Sequence, residues 1–278
     1  MTALAPTLQA FFTDRLRQQR HASEETVRAY RDAWKLLLGF AAARTGKQPC
    51  SLDIDDIDSD LIAAFLDHLE HDRHNSVRTR NTRLSAIHSL FHFAAPRHPE
   101  HAATISRVLS MPSKRFERAL VTYLNTEEVD ALLAAPDPTT RTGRRDRALI
   151  LLMVQTGLRI SELIMLRGND IHFGAGAHVA CHGKGRKDRI TPLTKSTVNV
   201  LRDWMVESSI KTTDPIFSTR TGKSLSRDAI ERRLAHHQHT AAIACPSMNA
   251  KHVTAHVLRH TYVICTGKGR VSYVSSAA

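Results

Sequence analysis

Cysteine is scarce and scattered: Cys50, Cys181, Cys245 and Cys265 are the only four in 278 residues, and none forms a CxxC pair. That spacing excludes a disulfide scaffold and a structural zinc knot, and it suits free thiols in a reducing cytoplasm. Long apolar runs are missing too. The longest, Ala148–Val154, covers seven residues, well short of the roughly 18 that a membrane helix needs. The opening stretch MTALAPTLQAFFTDRL lacks a basic start, a long apolar segment and a small-residue cleavage site, so no secretory leader is expected. Neither an internal repeat nor a low-complexity tract is present. With 42% apolar and 24% charged residues, wholesale disorder is excluded as well.

Positive charge is in excess. The formal net charge is +12, and it is lopsided: residues 1–110 carry 14 basic and 13 acidic side chains, residues 111–278 carry 25 and 14. Such an excess attracts polyanions and releases their counterions, although charge alone speaks to association and not to fold.

The first hundred residues read as helices. Ser23 caps one with Glu24 and Glu25 in its first turn, and Val27, Tyr30, Trp34, Leu37 and Leu38 form its apolar stripe. Gly46 and Pro49 break that pattern. A second helix carries Leu61, Ile62, Phe65, Leu66 and Leu69 behind Asp58 and Ser59 as cap candidates. A third spans about Ser76 to Ala94, with Leu84, Ile87, Leu90 and Phe91 inward. Arg78, Arg80 and Arg83 crowd its first turns, where cations oppose the helix dipole; approaching phosphates would explain them, and so would a plain solvated face. Pro96, Pro99 and Pro112 mark residues 96–125 as a boundary. The expected division is a helical domain over 1–110, a linker over 111–125 and a second domain over 126–278.

The second half mixes element types. Asn125 or Thr126 caps TEEVDALLAA, RDRALILLMVQTG is a buried helix ended by Gly157, and Ser161 is available to cap the next. HVACHGKGRKDRITPL suggests a β-hairpin, TKSTVNVLRDWMVES a helix, DPIFSTRTGKSLS a short strand and turn, and SRDAIERRLAHHQHT another helix.

Three clusters bear chemistry. In TGLRISEL, Arg159 projects from a turn suited to a bidentate phosphate contact, or pairs with Glu162 as a clamp; the two roles are compatible. In HGKGRKDR, flanking glycines let Lys184 reach out from a hairpin tip, either to give a proton to a leaving oxygen or simply to meet a DNA backbone. In HVLRH, His256 and Arg259 are three apart and share a helical face.

Each motif alone is weak; together and in this order they resemble the successive boxes of the tyrosine recombinase (phage integrase) family, over most of the chain. The resemblance implies a mainly α protein with a small β-sheet. A SAM-like helical core-binding domain would be followed by an α+β catalytic domain. It implies double-stranded DNA as partner, other recombinase subunits, and site-specific strand cleavage and rejoining in the cytoplasm without metal or other cofactor. Arg159 and Arg259 would hold the scissile phosphate, Lys184 would protonate the leaving 5′-oxygen, His256 would assist, and Glu162 would orient Arg159. Arg78, Arg80, Arg83, Arg186 and Lys187 would contact DNA. The family's nucleophilic tyrosine lies in helices beyond the third box, whereas nineteen residues follow Arg259 here. The expectation is therefore a truncated C-terminus and an unassigned nucleophile, with Tyr262 in the core and Tyr273 a poor substitute.

Two other classes compete. One is a catalytically inactive DNA-binding fragment that occupies recombination sites and modulates a full-length recombinase. The other is a metal-dependent nuclease or transposase, suggested by 17 histidines and by His236-His237-Gln238-His239, but only Glu231 supplies a nearby acid.

Overall fold

Side-chain caps decide where most helices begin. The computed structural model describes residues 3–117, 121–182 and 188–267, in two units, Met1–Arg118 and Ala119–Ala278. In the first unit, α1 (Leu4–Ala10) runs into a π-helical stretch over Phe11–Gln19. Next come α2 (Glu24–Thr45), α3 (Ser59–His71), α4 (Val77–Ala94) and α5 (Ala102–Leu109). The side chains of Ser23, Asp58 and Ser76 accept from the N3 amides of α2, α3 and α4, as their sequence positions suggest. Gly46 ends α2 with φ +71.

These helices enclose a core of Phe11, Trp34, Leu37, Phe65, Leu69, Leu84, Ile87 and Phe91, all nearly inaccessible to water. Part of the stretch expected as a boundary belongs to this core. α5 packs on α3 and α4 and buries Thr104, Ile105 and Val108. Three prolines and the lack of a side-chain cap hide a two-turn helix whose strength is its amphipathic face.

The second unit holds α6 (Thr126–Ala134), α7 (Arg141–Thr156), α8 (Ile160–Met165), β1 (Ile171–His172), β2 (His178–His182), β3 (Asp188–Pro192), α9 (Lys195–Glu207), α10 (Arg227–Ala244) and α11 (Ala255–Gly267). The strands form an antiparallel sheet in order β1-β2-β3, with Val179 opposite Thr191 and Cys181 opposite Arg189. DPIFSTRTGKSLS contributes only isolated bridges, Arg167 with Pro215 and Ser218 with Ser224. The architecture is thus mainly helical with one small sheet. No helix among the described residues is long and apolar enough to cross a membrane.

α7 is the strut of this unit. Leu149, Ile150, Leu152, Met153 and Val154 are buried on every side, and α6, α9 and α11 pack around it. Near its start Asp146, 1% exposed, takes Arg145 and Arg233 at 2.9 and 2.7 Å and His237 at 2.9 Å. Burial pushes this carboxyl up. The bonds and charges of His237, Arg145 and Arg233 outweigh it and hold the group below its ordinary value.

Removing one partner from such a buried cluster strands the others, so Asp146→Ala is expected to cost about 3–5 kcal/mol in denaturant unfolding of the intact chain. A depressed carboxyl contributes its stability fully above the unfolded-state pKa, about 4, and loses it as pH falls through the folded value. The native chain should therefore lose stability on acidification below about pH 5 more steeply than Asp146→Ala.

Candidate active site

The site begins where α7 stops. Gly157 caps the helix with φ +57, and its carbonyl accepts Nη1 of Arg259 from α11. A methyl group added at Gly157 would lie 2.3 Å from Cδ1 of Tyr262, so only glycine lets α11 approach this closely. Arg159 then occupies the N-cap of α8 in extended conformation. The cap differs from the one expected. Ser161 lies inside α8, and it is Glu162 that reaches back to accept the Arg159 amide at 2.8 Å. Glu at N3 is the acidic half of a capping box, and it satisfies an amide that Ser161, already in the helix, does not.

Glu162 binds two guanidinium groups as well. Its carboxylate, with 5% of the side chain exposed, takes Arg159 Nη1 at 2.9 Å and Arg189 Nη2 of β3 at 2.8 Å. Arg259 feels the same charges. Burial lowers its pKa, the positive charges of Arg159 and Arg189 lower it further, and Glu162 opposes them. A guanidinium stays protonated throughout, so this strain registers as an electropositive field and not as a lost charge.

Arg159, His256 and Arg259 line one cavity of about 240 Å³ together with Ser161, Arg227 and Glu231. His256 is exposed in the first turn of α11, and its Nε2 lies 2.8 Å from Nε2 of His260. Thr254 caps α11 through the Val257 amide, and Glu231 Oε2 accepts the Ala255 amide at 3.3 Å, docking the start of α11 on α10. At the other end Leu124 donates its amide to the buried Thr261 hydroxyl at 3.0 Å.

Of the residues singled out in the sequence, Arg159, His256 and Arg259 thus converge, and Glu162 stands behind Arg159. Lys184, Arg186, Lys187 and Tyr273 lie outside the described residues. Arg78 is exposed on α4, whereas Arg83 is half-buried and donates to Asn75 Oδ1 at 3.3 Å. Arg80 does not sit on an exposed basic face. It is 7% exposed and paired with Glu70 of α3 at 3.4 Å. Three residues of the site escaped the sequence: Arg189, Arg227 and His260. Arg189 falls in the same basic run as Lys184, and strand alternation was the signal that separates it from its neighbours. Arg227, at the start of α10, repeats the dipole-opposing placement noticed on α4.

The histidine run does not assemble a metal centre. His237 is buried on Asp146, while His236 and His239 are exposed on α10. Among the described residues no group of three or more His, Cys, Asp or Glu side chains is arranged to hold a metal ion.

Residues 122–264, more than half of the chain, match the phage integrase family, and residues 10–98 match the phage integrase N-terminal SAM-like domain. The chain belongs to the phage integrase family. The putative integrase/recombinase y4rC of Sinorhizobium fredii is 51% identical over 259 residues, which are 93% of this chain and 78% of that protein. Tyrosine recombinase XerC of Xanthomonas campestris pv. campestris is 31% identical over 251 residues, 90% of this chain and 73% of that one. The solved structure of XerH site-specific recombinase bound to palindromic difH substrate shares the fold. Its TM-score is 0.68 at 22% identity, over 91% of this chain and 72% of that chain. The integrase match spans Arg159, His256 and Arg259, and the SAM-like match spans Arg78, Arg80 and Arg83.

Gly157→Ala tests the junction that joins α7 to Arg259. The left-handed backbone costs an alanine about 1–2 kcal/mol, and the contact with the Tyr262 ring adds to it. A loss of about 2 kcal/mol or more is expected in denaturant unfolding.

Proposed function

We propose that the chain binds duplex DNA and that the cavity at the start of α11 receives a backbone phosphate for site-specific strand cleavage and rejoining. The observation carrying this is the convergence of Arg159 with His256 and Arg259, about a hundred residues further along the sequence, on one electropositive cavity. Membership of the integrase family supports it, as does the XerH structure in its complex with difH substrate. In this reading Arg159 and Arg259 hold the non-bridging oxygens, and the charge that accumulates on them in the transition state meets fixed cations without a metal. His256 adds a hydrogen bond. Lys184 delivers a proton to the 5′-oxygen as its bond to phosphorus breaks and the incoming nucleophile forms the new one.

The nucleophile is left unassigned. Of the described tyrosines in the second unit, Tyr262 packs against Gly157 and Tyr123 lies under the ammonium of Lys251; neither lines the cavity. The first unit serves as the core-binding domain and meets the duplex through the exposed face of α4, where Arg78, Thr82, Ser85 and His92 are accessible. Assembly with other recombinase subunits on paired sites, in the cytoplasm where the DNA lies, completes the proposal.

Arg78 and Arg80 should part company in titrations against duplex DNA at several salt concentrations. Arg78→Ala is expected to weaken binding and to reduce the salt slope by about 1, the signature of one lost phosphate contact. Arg80→Ala should leave the slope unchanged and instead lower the stability of the first unit. No binding at low salt would end the DNA reading.

Incubation with nicked duplex, followed by denaturing electrophoresis, tests the chemistry. A covalent protein–DNA product that is lost in Arg259→Ala is the expected mark of cleavage at this cavity. Cleavage undiminished in Arg259→Ala would overturn the reading, and Tyr273→Phe reports whether Tyr273 is the nucleophile.

A further inference from the structure

Two imidazoles meet at the mouth of the cavity. His256 and His260 are one helical turn apart on α11, their Nε2 atoms 2.8 Å from each other and their rings nearly perpendicular, centroids 4.2 Å apart. At that distance one nitrogen carries a hydrogen and the other offers its lone pair. The hydrogen therefore lies between the rings, and its owner decides what His256 shows on its other nitrogen. If His256 donates, Nδ1 is bare and accepts. If His260 donates, Nδ1 of His256 carries a hydrogen of its own. His256 lines the cavity, and His260 does not.

We infer that His260 is a positioning residue: by donating from Nε2 it holds His256 as the Nδ1–H tautomer, a hydrogen-bond donor for an anionic oxygen in the cavity. This deepens the phosphate reading above and rests on it for the identity of the anion. Three observations favour that direction. The cavity is walled by three cations, Arg159, Arg227 and Arg259, against one acid, Glu231, so positive charge is in excess, the ligand it favours accepts hydrogen bonds, and a bare Nδ1 would oppose it. His260 is surrounded so as to stay neutral. Burial lowers its pKa first, and the neighbouring His256 and Arg259 lower it further, so it offers the single N–H of a neutral imidazole and not the two of an imidazolium. Of the acids nearby, Glu162 holds Arg159 and Arg189, and Glu231 accepts the Ala255 amide through Oε2; neither is hydrogen-bonded to His256 or His260. In this arrangement no carboxylate competes for the tautomer, and His260 does a task often given to a carboxylate or carbonyl behind a working imidazole.

The experiment is two-bond proton–nitrogen correlation NMR on the intact chain at about pH 7.5, above the ordinary histidine range, with inorganic phosphate as the titrant. In the native chain the His256 signals should show hydrogen on Nδ1. In His260→Ala that preference should be lost, with phosphate affinity at His256 down about ten-fold or more, as for one hydrogen bond to an anion. In His260→Gln, whose amide still donates, both should return. A bare Nδ1 in the native chain overturns the inference, and so does an unchanged tautomer in His260→Ala. The native spectrum decides even if a variant fails to fold. An Nδ1–H tautomer with no response to phosphate supports the pair and counts against the phosphate reading alone.

Discussion

One buried carboxylate makes the cationic cavity possible. Two like charges about 5 Å apart repel by about 3 kcal/mol at an effective dielectric constant near 20, and the second unit brings together four guanidinium groups, Arg159, Arg189, Arg227 and Arg259. Glu162 takes two of them, Arg159 and Arg189, and its second service, to the Arg159 backbone amide, fixes where α8 begins. Helix start and charge balance are therefore a single event. A third guanidinium, Arg259, is held by the carbonyl of Gly157, a neutral acceptor, and Glu162 offsets only part of what burial and the charges of Arg159 and Arg189 impose on it.

The strut beneath this arrangement is α7. One end is fixed by Asp146 among Arg145, Arg233 and His237, the other by the left-handed turn at Gly157 against the Tyr262 ring. Both ends bind α7 to later segments: α10 at the first, α11 at the second. A third buried carboxylate, Glu128 of α6, does similar work. It caps its own helix through Asn125 and holds Ser247 and Lys251 ahead of α11. Acids thus help to place two of the helices that carry the cavity: Glu162 sets the start of α8, and Glu231 joins Thr254 at the start of α11.

Much of this was written locally in the chain. The caps at Ser23, Asp58, Ser76 and Asn125 are side chains next to the amides they serve, so spacing alone reveals them. TGLRISEL and HVLRH are legible for the same reason, each a turn or face defined within eight residues. What stayed hidden depends on partners far away in sequence. Arg80 looks like a solvated cation until Glu70 of α3 stands beside it. α5 has no cap and reads as a proline-broken linker until α3 and α4 cover its apolar face. Ser161 has the right chemistry for a cap, but Glu162 wins because its longer side chain also collects two guanidiniums.

Strand pairing carries a further consequence for how such chains diverge. Arg189 faces Cys181 across the hairpin, and this pairing delivers its side chain to Glu162. Because successive residues of a strand point to opposite faces, one inserted or deleted residue between Arg189 and Pro192 would turn the guanidinium away from its carboxylate. Length changes confined to the connection before Asp188 leave that parity untouched. The residue count along β3 is thus tied to the carboxylate of Glu162 on α8.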